Sequence, residues 1–353
     1  AYEYKAVTDT AINKCHLSQK SYPYLIADQL SINMSESVAC SGAIIDDLRS
    51  SSEEYEGQSR DHIKRRDRTN EQEILSSFLP GYVAQWEFTD KHKPSVVTIA
   101  AGGNDIGFDG KVKRCLAPDT CFASYEDRLE IVREINAQFL RLVDLYKDIA
   151  KSLDPRAKIY TMGYPQVAKP GGSCDVNVHL NEQEVLFSTQ LISYINSVIK
   201  TASDNAGVFY VDIENAMEGH RLCETVYSNT AINGLTAGND IVNLPLIRGP
   251  IGNESYHPNA MGHRLYKETI LNKTNNFTAA MPKPNPTITH PVENNNIALL
   301  QAPKSNRSIY KTFYDYSPSP DLLIKKKLTQ IVIDRANISL KPLSTLKLWL
   351  NSD

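Results

Sequence analysis

The sequence predicts an α/β fold built on a parallel sheet, and two features of the chain predict it. Short apolar runs bounded by turn residues recur along it, and long stretches of helical periodicity lie between them. Three runs read as buried strands: residues 95–101 (SVVTIAA), 158–162 (KIYTM) and 207–211 (GVFYV). A shorter run at residues 37–40 precedes Ser41-Gly42. Between residues 127 and 153, apolar side chains fall at Leu129, Val132, Ile135, Phe139, Val143, Tyr146 and Ile149, the spacing of one helical face. Residues 184–203 repeat the pattern with Leu191, Ile195 and Val198, and a further helix is expected from Asn259 through Leu265 and Ile270. Alternation of this kind implies a three-layer αβα sandwich, with helices on both sheet faces.

The 353 residues allow one large domain and a smaller one. Residues 282–296 carry Pro282, Pro284, Pro286 and Pro291, then Asn294, Asn295 and Asn296. Proline removes backbone donors and fixes φ, which is linker chemistry. Beyond it, residues 329–340 (TQIVIDRANISL) and 344–350 (STLKLWL) read as strands around a Lys341-Pro342-Leu343 turn. This end is similar to the β-sandwich modules of bacterial surface proteins. The expected division is 1–282 for the α/β domain, 283–300 for the linker and 301–353 for part of a β-rich module that could hold the protein at a cell surface. Residues 53–68 mix Glu53, Glu54 and Glu56 with Arg60, Lys64, Arg65, Arg66 and Arg68, as a solvated stretch of both signs does.

A net charge of −3 offers no basic excess for nucleic-acid binding. No apolar stretch approaches the roughly 18 residues that span a bilayer. The six cysteines, Cys15, Cys40, Cys115, Cys121, Cys174 and Cys223, include no C-x-x-C pair and no histidine at zinc-ligand spacing, so no metal is expected. An even, widely spread set suits three disulfides in an oxidising compartment, and the spacing leaves their pairing open.

Three short motifs carry the chemistry. Ala39-Cys40-Ser41-Gly42-Ala43 ends an expected strand, Gly102-Gly103-Asn104-Asp105 follows the clearest strand, and Glu254-Ser255-Tyr256-His257-Pro258-Asn259 precedes a helix. Ester hydrolysis needs a hydroxyl nucleophile with a base in hydrogen-bond reach. It also needs rigid donors aimed at the oxyanion. Gly42 can offer its N–H without a Cβ in the way, Asn104 can offer its side-chain amide, and His257 can be the base. All three fall at element ends, where open α/β sheets place their sites. Each motif alone is weak, since Ser-Gly is commonly a turn and Asn-Asp commonly caps a helix. Their order on these elements is the stronger signal.

With these motifs the chain resembles the SGNH-hydrolase (GDSL-like) family, whose four named residues are Ser, Gly, Asn and His. The likeness is greatest to its disulfide-containing secreted bacterial esterases and lipases, through Lys14-Cys15-His16 with Tyr22-Pro23-Tyr24, the Ala-Cys-Ser-Gly-Ala run and the Ser-x-His-Pro-Asn run. It covers roughly the first 280 residues. The resemblance implies a flavodoxin-like sheet and a secreted or cell-surface carboxylic ester hydrolase that uses no cofactor. It implies Gly42 and Asn104 as the oxyanion hole, His257 as the base, and the pairings Cys15–Cys40, Cys115–Cys121 and Cys174–Cys223. Residue 254 would orient His257, through the Glu254 carboxylate or through its backbone carbonyl.

The family's Gly-Asp-Ser block does not occur in this sequence. The resemblance therefore places the nucleophilic serine, and the first strand that carries it, upstream of Ala1, so that residues 1–353 alone would be inactive. Ser41 is expected to be a turn hydroxyl, Asp105, His16 and His263 to be structural, and Tyr164-Pro165 to line the acyl pocket or only turn the chain. The insertions at 40–95 and 212–252 would shape that pocket. The sequons at Asn253 and Asn276 are expected by chance alone. Substrates in view are a small-molecule ester, a lipid or an acylated carbohydrate. The rival readings are an acetyl-esterase acting on polysaccharide and a nucleophile-free surface-binding protein.

Overall fold

Three strands form the sheet: β1 (Val96–Ile99), β2 (Lys158–Met162) and β3 (Phe209–Val211). They are parallel in the order β1-β2-β3, with Val96 opposite Lys158 and Tyr160 opposite Phe209. The computed structural model describes residues 4–32, 36–49, 70–115, 121–175, 177–178, 180–236, 252, 254–286 and 300–301. The charged stretch 53–68, most of the expected linker and the expected β-rich module lie outside the described residues.

Eight α-helices occur among the described residues. They are α1 (Tyr22–Gln29), α2 (Ile45–Leu48), α3 (Glu71–Ser76), α4 (Gln85–His92), α5 (Phe108–Cys115), α6 (Tyr125–Ser152), α7 (Glu182–Ala206) and α8 (Ala260–Thr274). Alternation along β2 sorts them into layers. Ile159 joins Val97 and Ile99 in the core beneath α6 and α7, and Thr161 meets Ser203 of α7 through their hydroxyls at 2.6 Å. Tyr160 and Met162 face the other way, packing with Val211, Ile26 of α1 and Ile270 and Leu271 of α8. The result is the expected αβα sandwich.

The long helices start where their polar residues can cap them. Ser124 Oγ accepts the Asp127 N–H ahead of α6. Asn181 Oδ1 accepts the N–H groups of Gln183 and Glu184, and Glu184 Oε2 accepts the Asn181 N–H in return. Gly207 ends α7 at φ +74°, the left-handed value that favours glycine. Pro284 packs on that glycine, and the Asn285 N–H donates to Asp204 O, so the first residues of the proline-rich stretch lie along the end of α7.

Two features differ from the sequence reading or complete it. Residues 37–40 form no strand; this segment is held instead by the Cys15–Cys40 bond and by the Ser41 N–H on Cys15 O. The cysteines pair as the resemblance implied, Cys15–Cys40, Cys115–Cys121 and Cys174–Cys223. No described helix is long and apolar enough to cross a membrane.

His263 of α8 gives the fold a predictable response to acid. Burial, and secondarily the charge of His257 nearby, pushes its imidazole down to about 4. Its folded pKa lies below its unfolded one, so between about pH 6.5 and pH 4 the unfolded chain binds more protons. Its contribution is complete above that window and is lost as pH falls through it. His263→Gln should flatten the loss of urea-unfolding stability between pH 6.5 and pH 4; an unchanged acid limb would contradict this.

Candidate active site

The site is assembled from loops that leave the sheet and its flanking helices. The Ser41-Gly42 turn is closed by the Ala43 N–H on Cys40 O at 3.1 Å, with Gly42 at φ +75°. Only a residue tolerant of left-handed backbone fits there without strain. The N–H of Gly42 has no acceptor among the described residues. The loop after β1 reaches this turn directly, because Asn104 Nδ2 donates to Ala43 O at 2.9 Å. Gly42 and Asn104 are thus brought together.

Asp105 points the other way. Both its oxygens accept the Ile45 N–H, at 3.2 and 3.0 Å, and Oδ1 pairs with Arg141 at 2.9 Å. Arg141 also pairs with Asp46 at 2.8 Å. Burial pushes the Asp105 carboxyl up, while the Ile45 N–H and Arg141 pull it down. Asp105 is therefore a fastener between the β1 loop, the first residue of α2 and α6, as expected of a structural residue.

His257 is set by a second pair of loops. The Asn233 N–H donates to His257 O at 3.0 Å, Asn233 Nδ2 donates to Glu254 O at 3.0 Å, and the Asn259 N–H donates to Ala231 O at 3.0 Å. Asn259 then caps α8 by accepting the N–H groups of Met261 and Gly262. The contact is close enough that a Cβ on Gly262 would lie 2.3 Å from Ala231 O. Tyr256, at φ +57°, turns the chain between Ser255 and His257, and its hydroxyl donates to Val178 O. Across this turn His257 Nδ1 meets Ser255 O at 2.8 Å. A carbonyl only accepts, so Nδ1 is the donor, and in the neutral ring Nε2 is left as the acceptor. The imidazole is exposed, and no described hydroxyl meets Nε2.

The orienting contact expected at residue 254 falls one residue later. Glu254 Oε1 instead accepts the Tyr4 hydroxyl at 3.2 Å, and its carbonyl is taken by Asn233 and by the His257 N–H. The reason is the left-handed turn at Tyr256, which presents the carbonyl of 255 to the ring. Tyr4 also lies against His16, their centroids 5.0 Å apart, and His16 Nδ1 sits 3.0 Å from Asp9 Oδ1. His16 thereby takes the structural place expected of it. Ser255 Oγ is occupied by Gly252 O and the Thr236 N–H. The Ser255 carbonyl, Tyr4 and Asn233 were missed by the sequence reading; a carbonyl leaves no trace in residue type, and nothing in the motifs pointed to the other two.

Ligand atoms of Cys115, Cys121 and Glu184 lie within 4.8 Å of one another. The sulfurs are bonded to each other, and the Glu184 oxygens accept the N–H groups of Cys121 and Asn181. This donor set is a structural knot rather than a metal site.

The parallel αβα sandwich presents the Gly42 turn, the Asn104 loop and the His257 loop outside its strands, and a fold of this kind hosts many chemistries. The chain belongs to the GDSL-like lipase/acylhydrolase family, whose sequence model matches residues 8–265. It is 28% identical over 180 residues to a lipase of Streptomyces rimosus, covering 50% of this chain and 59% of that one. It is 25% identical over 260 residues to lipase 1 of Streptomyces coelicolor, covering 73% of this chain and 76% of that one. Among solved structures it resembles a phospholipase A1 from Streptomyces albidoflavus NA297, with TM-score 0.51, 23% identity and coverage of 77% and 92% of the two chains. An extracellular lipase from Streptomyces rimosus gives TM-score 0.51 and 23% identity, with 78% and 93% covered. These two structural likenesses speak for the fold.

If Asp105 fastens loops and takes no part in proton transfer, Asp105→Ala should cost about 2–3 kcal/mol of stability in urea titration, since Arg141 keeps Asp46 as a partner. A variant as stable as the parent would contradict the fastener role.

Proposed function

We propose that the intact protein hydrolyses carboxylic esters outside the cytosol, with His257 as general base and Gly42 and Asn104 holding the oxyanion. The observation that carries this is the ring of His257, with Nδ1 held by a main-chain carbonyl, on a chain of this hydrolase family. The nucleophile in this reading is a serine of the Gly-Asp-Ser type supplied from outside residues 1–353. Its Oγ–H proton passes to His257 Nε2 as the oxygen attacks the ester carbonyl. The tetrahedral oxyanion receives the Gly42 N–H and one hydrogen of Asn104 Nδ2, whose other hydrogen goes to Ala43 O. The imidazolium then protonates the departing alkoxide, leaving an acyl-serine. Water reverses these steps and releases the carboxylic acid.

Ser255 O plays the part that a carboxylate plays in a Ser-His-Asp triad, fixing the tautomer and steadying the imidazolium. A neutral carbonyl does this more weakly than an anion, and the Glu254 carboxylate ties Tyr4 to the loop. The lipase names of the sequence relatives favour a lipid acyl ester as substrate. Three disulfides support an oxidising compartment.

Two protein preparations test the reading, residues 1–353 alone and the intact protein, assayed on p-nitrophenyl esters of two and eight carbons. The intact protein should turn them over, residues 1–353 should not, and His257→Ala should lower kcat roughly 10⁴-fold or more. Full activity in residues 1–353, or in His257→Ala, would defeat the mechanism; no turnover by the intact protein would defeat the function.

A further inference from the structure

The loop that presents Asn104 is held from behind by a side chain outside all three motifs. The Gly103 N–H donates to the phenol oxygen of Tyr164 at 2.9 Å. A Cβ on residue 103 would lie 2.8 Å from that oxygen and 2.9 Å from Cζ, so the ring occupies the space a side chain would need. Glycine at 103 is what lets the phenol approach. Gly103 and Asn104 are adjacent, so the phenol sets the main chain from which the Asn104 amide extends.

Tyr164 is itself clamped. Asn196 of α7 takes its main chain at two points: Oδ1 accepts the Tyr164 N–H at 2.6 Å, and Nδ2 donates to Tyr164 O at 2.8 Å. Asn196 is buried, and its Nδ2 also donates to Glu214 Oε2 at 2.9 Å. Glu214 Oε1 in turn accepts from Ser193 Oγ at 2.6 Å and Gln166 Nε2 at 2.9 Å. The preceding residue must again be glycine, because a Cβ on Gly163 would lie 2.6 Å from Asn196 Oδ1. A chain of hydrogen bonds therefore runs from the loop after β3, through α7, to the loop after β1. The loop is thus held by Ala43 O on one side and by the Tyr164 phenol on another.

We infer that Tyr164 is a positioning residue for the oxyanion donor, acting through the Gly103 N–H to fix where the Asn104 amide points. This rests on the ester-hydrolase reading above. A donor aimed at a developing oxyanion loses most of its effect when it wanders, so loss of the phenol oxygen should appear in kcat. If the phenol acts through the loop, ground-state binding should change little, and a rise in KM alone would instead mark Tyr164 as lining the acyl pocket.

The test uses the intact protein with Tyr164→Phe, Asn104→Ala and the double variant, on a p-nitrophenyl ester. Tyr164→Phe should lower kcat roughly tenfold and leave KM within about twofold. In the Asn104→Ala background it should add almost nothing, because its effect passes through a group already removed. Hydrogen exchange at the Gly103 and Asn104 amides should also quicken in Tyr164→Phe. A purely structural tyrosine would lower the melting temperature and leave kcat of the folded fraction unchanged; an unchanged kcat, or an equal loss of kcat in both backgrounds, would overturn the inference. Should Tyr164→Phe not fold, Gly103→Ala displaces the same contact and is read in the same way. Were the intact parent protein inactive on esters, the proposed function would fail, and the exchange at Asn104 would still decide whether Tyr164 holds the loop.

Discussion

The hydrogen bond from Asn104 Nδ2 to Ala43 O is the contact on which the site depends. It joins the turn ahead of α2 to the loop that follows β1. On one side the Ser41-Gly42 turn hangs from the Cys15–Cys40 bond and from the Ser41 N–H on Cys15 O. On the other, the Asn104 loop issues from β1, inside a core that α6 and α7 cover. The bond transmits the rigidity of the core to a surface turn. Asp105 adds a second tie between the same segments through the Ile45 N–H, and Arg141 adds α6 to it. In the proposed mechanism these ties matter because paired donors help a transition state only when both are fixed beforehand.

The histidine loop solves the same problem differently. Its main chain pairs with residues 231–233, Asn259 caps α8, and a missing Cβ at Gly262 allows that helix to approach Ala231 O. The ring is then set by the carbonyl of its own loop, so its tautomer follows from backbone geometry with no acidic side chain. The Tyr4 hydroxyl on Glu254 ties this loop to the N-terminal segment that also carries His16 and Cys15. A path of contacts thus runs from the histidine loop through residues 4–16 to the Ser41-Gly42 turn.

Much of the fold was legible because β2 and β3 are short apolar runs and α6 and α7 keep one apolar face over their lengths. Residues 37–40 misled because an apolar run before Ser-Gly looks the same whether a ladder or a disulfide holds it. The disulfide partners came from the family resemblance, since spacing alone does not choose among pairings. At the site, Gly42, Asn104 and His257 were readable as residue types suited to a task. The atom that meets Nδ1 was not, because a main-chain carbonyl can belong to any residue and its direction depends on the left-handed turn at Tyr256. Tyr164 was read with Pro165 only as a pocket-lining or chain-turning residue, because its contacts with Gly103 and Asn196 are distant in sequence.

The central claim is that Gly42, Asn104 and His257 serve one reacting centre. The direct measurement is a crystal structure of the intact protein after reaction with an alkyl fluorophosphonate. The account predicts an adduct on a serine outside residues 1–353, its phosphoryl oxygen about 2.7–3.1 Å from Gly42 N and Asn104 Nδ2, with His257 Nε2 beside the modified oxygen. An adduct on Ser41 or Ser255, or a phosphoryl oxygen directed away from Gly42 and Asn104, would contradict it.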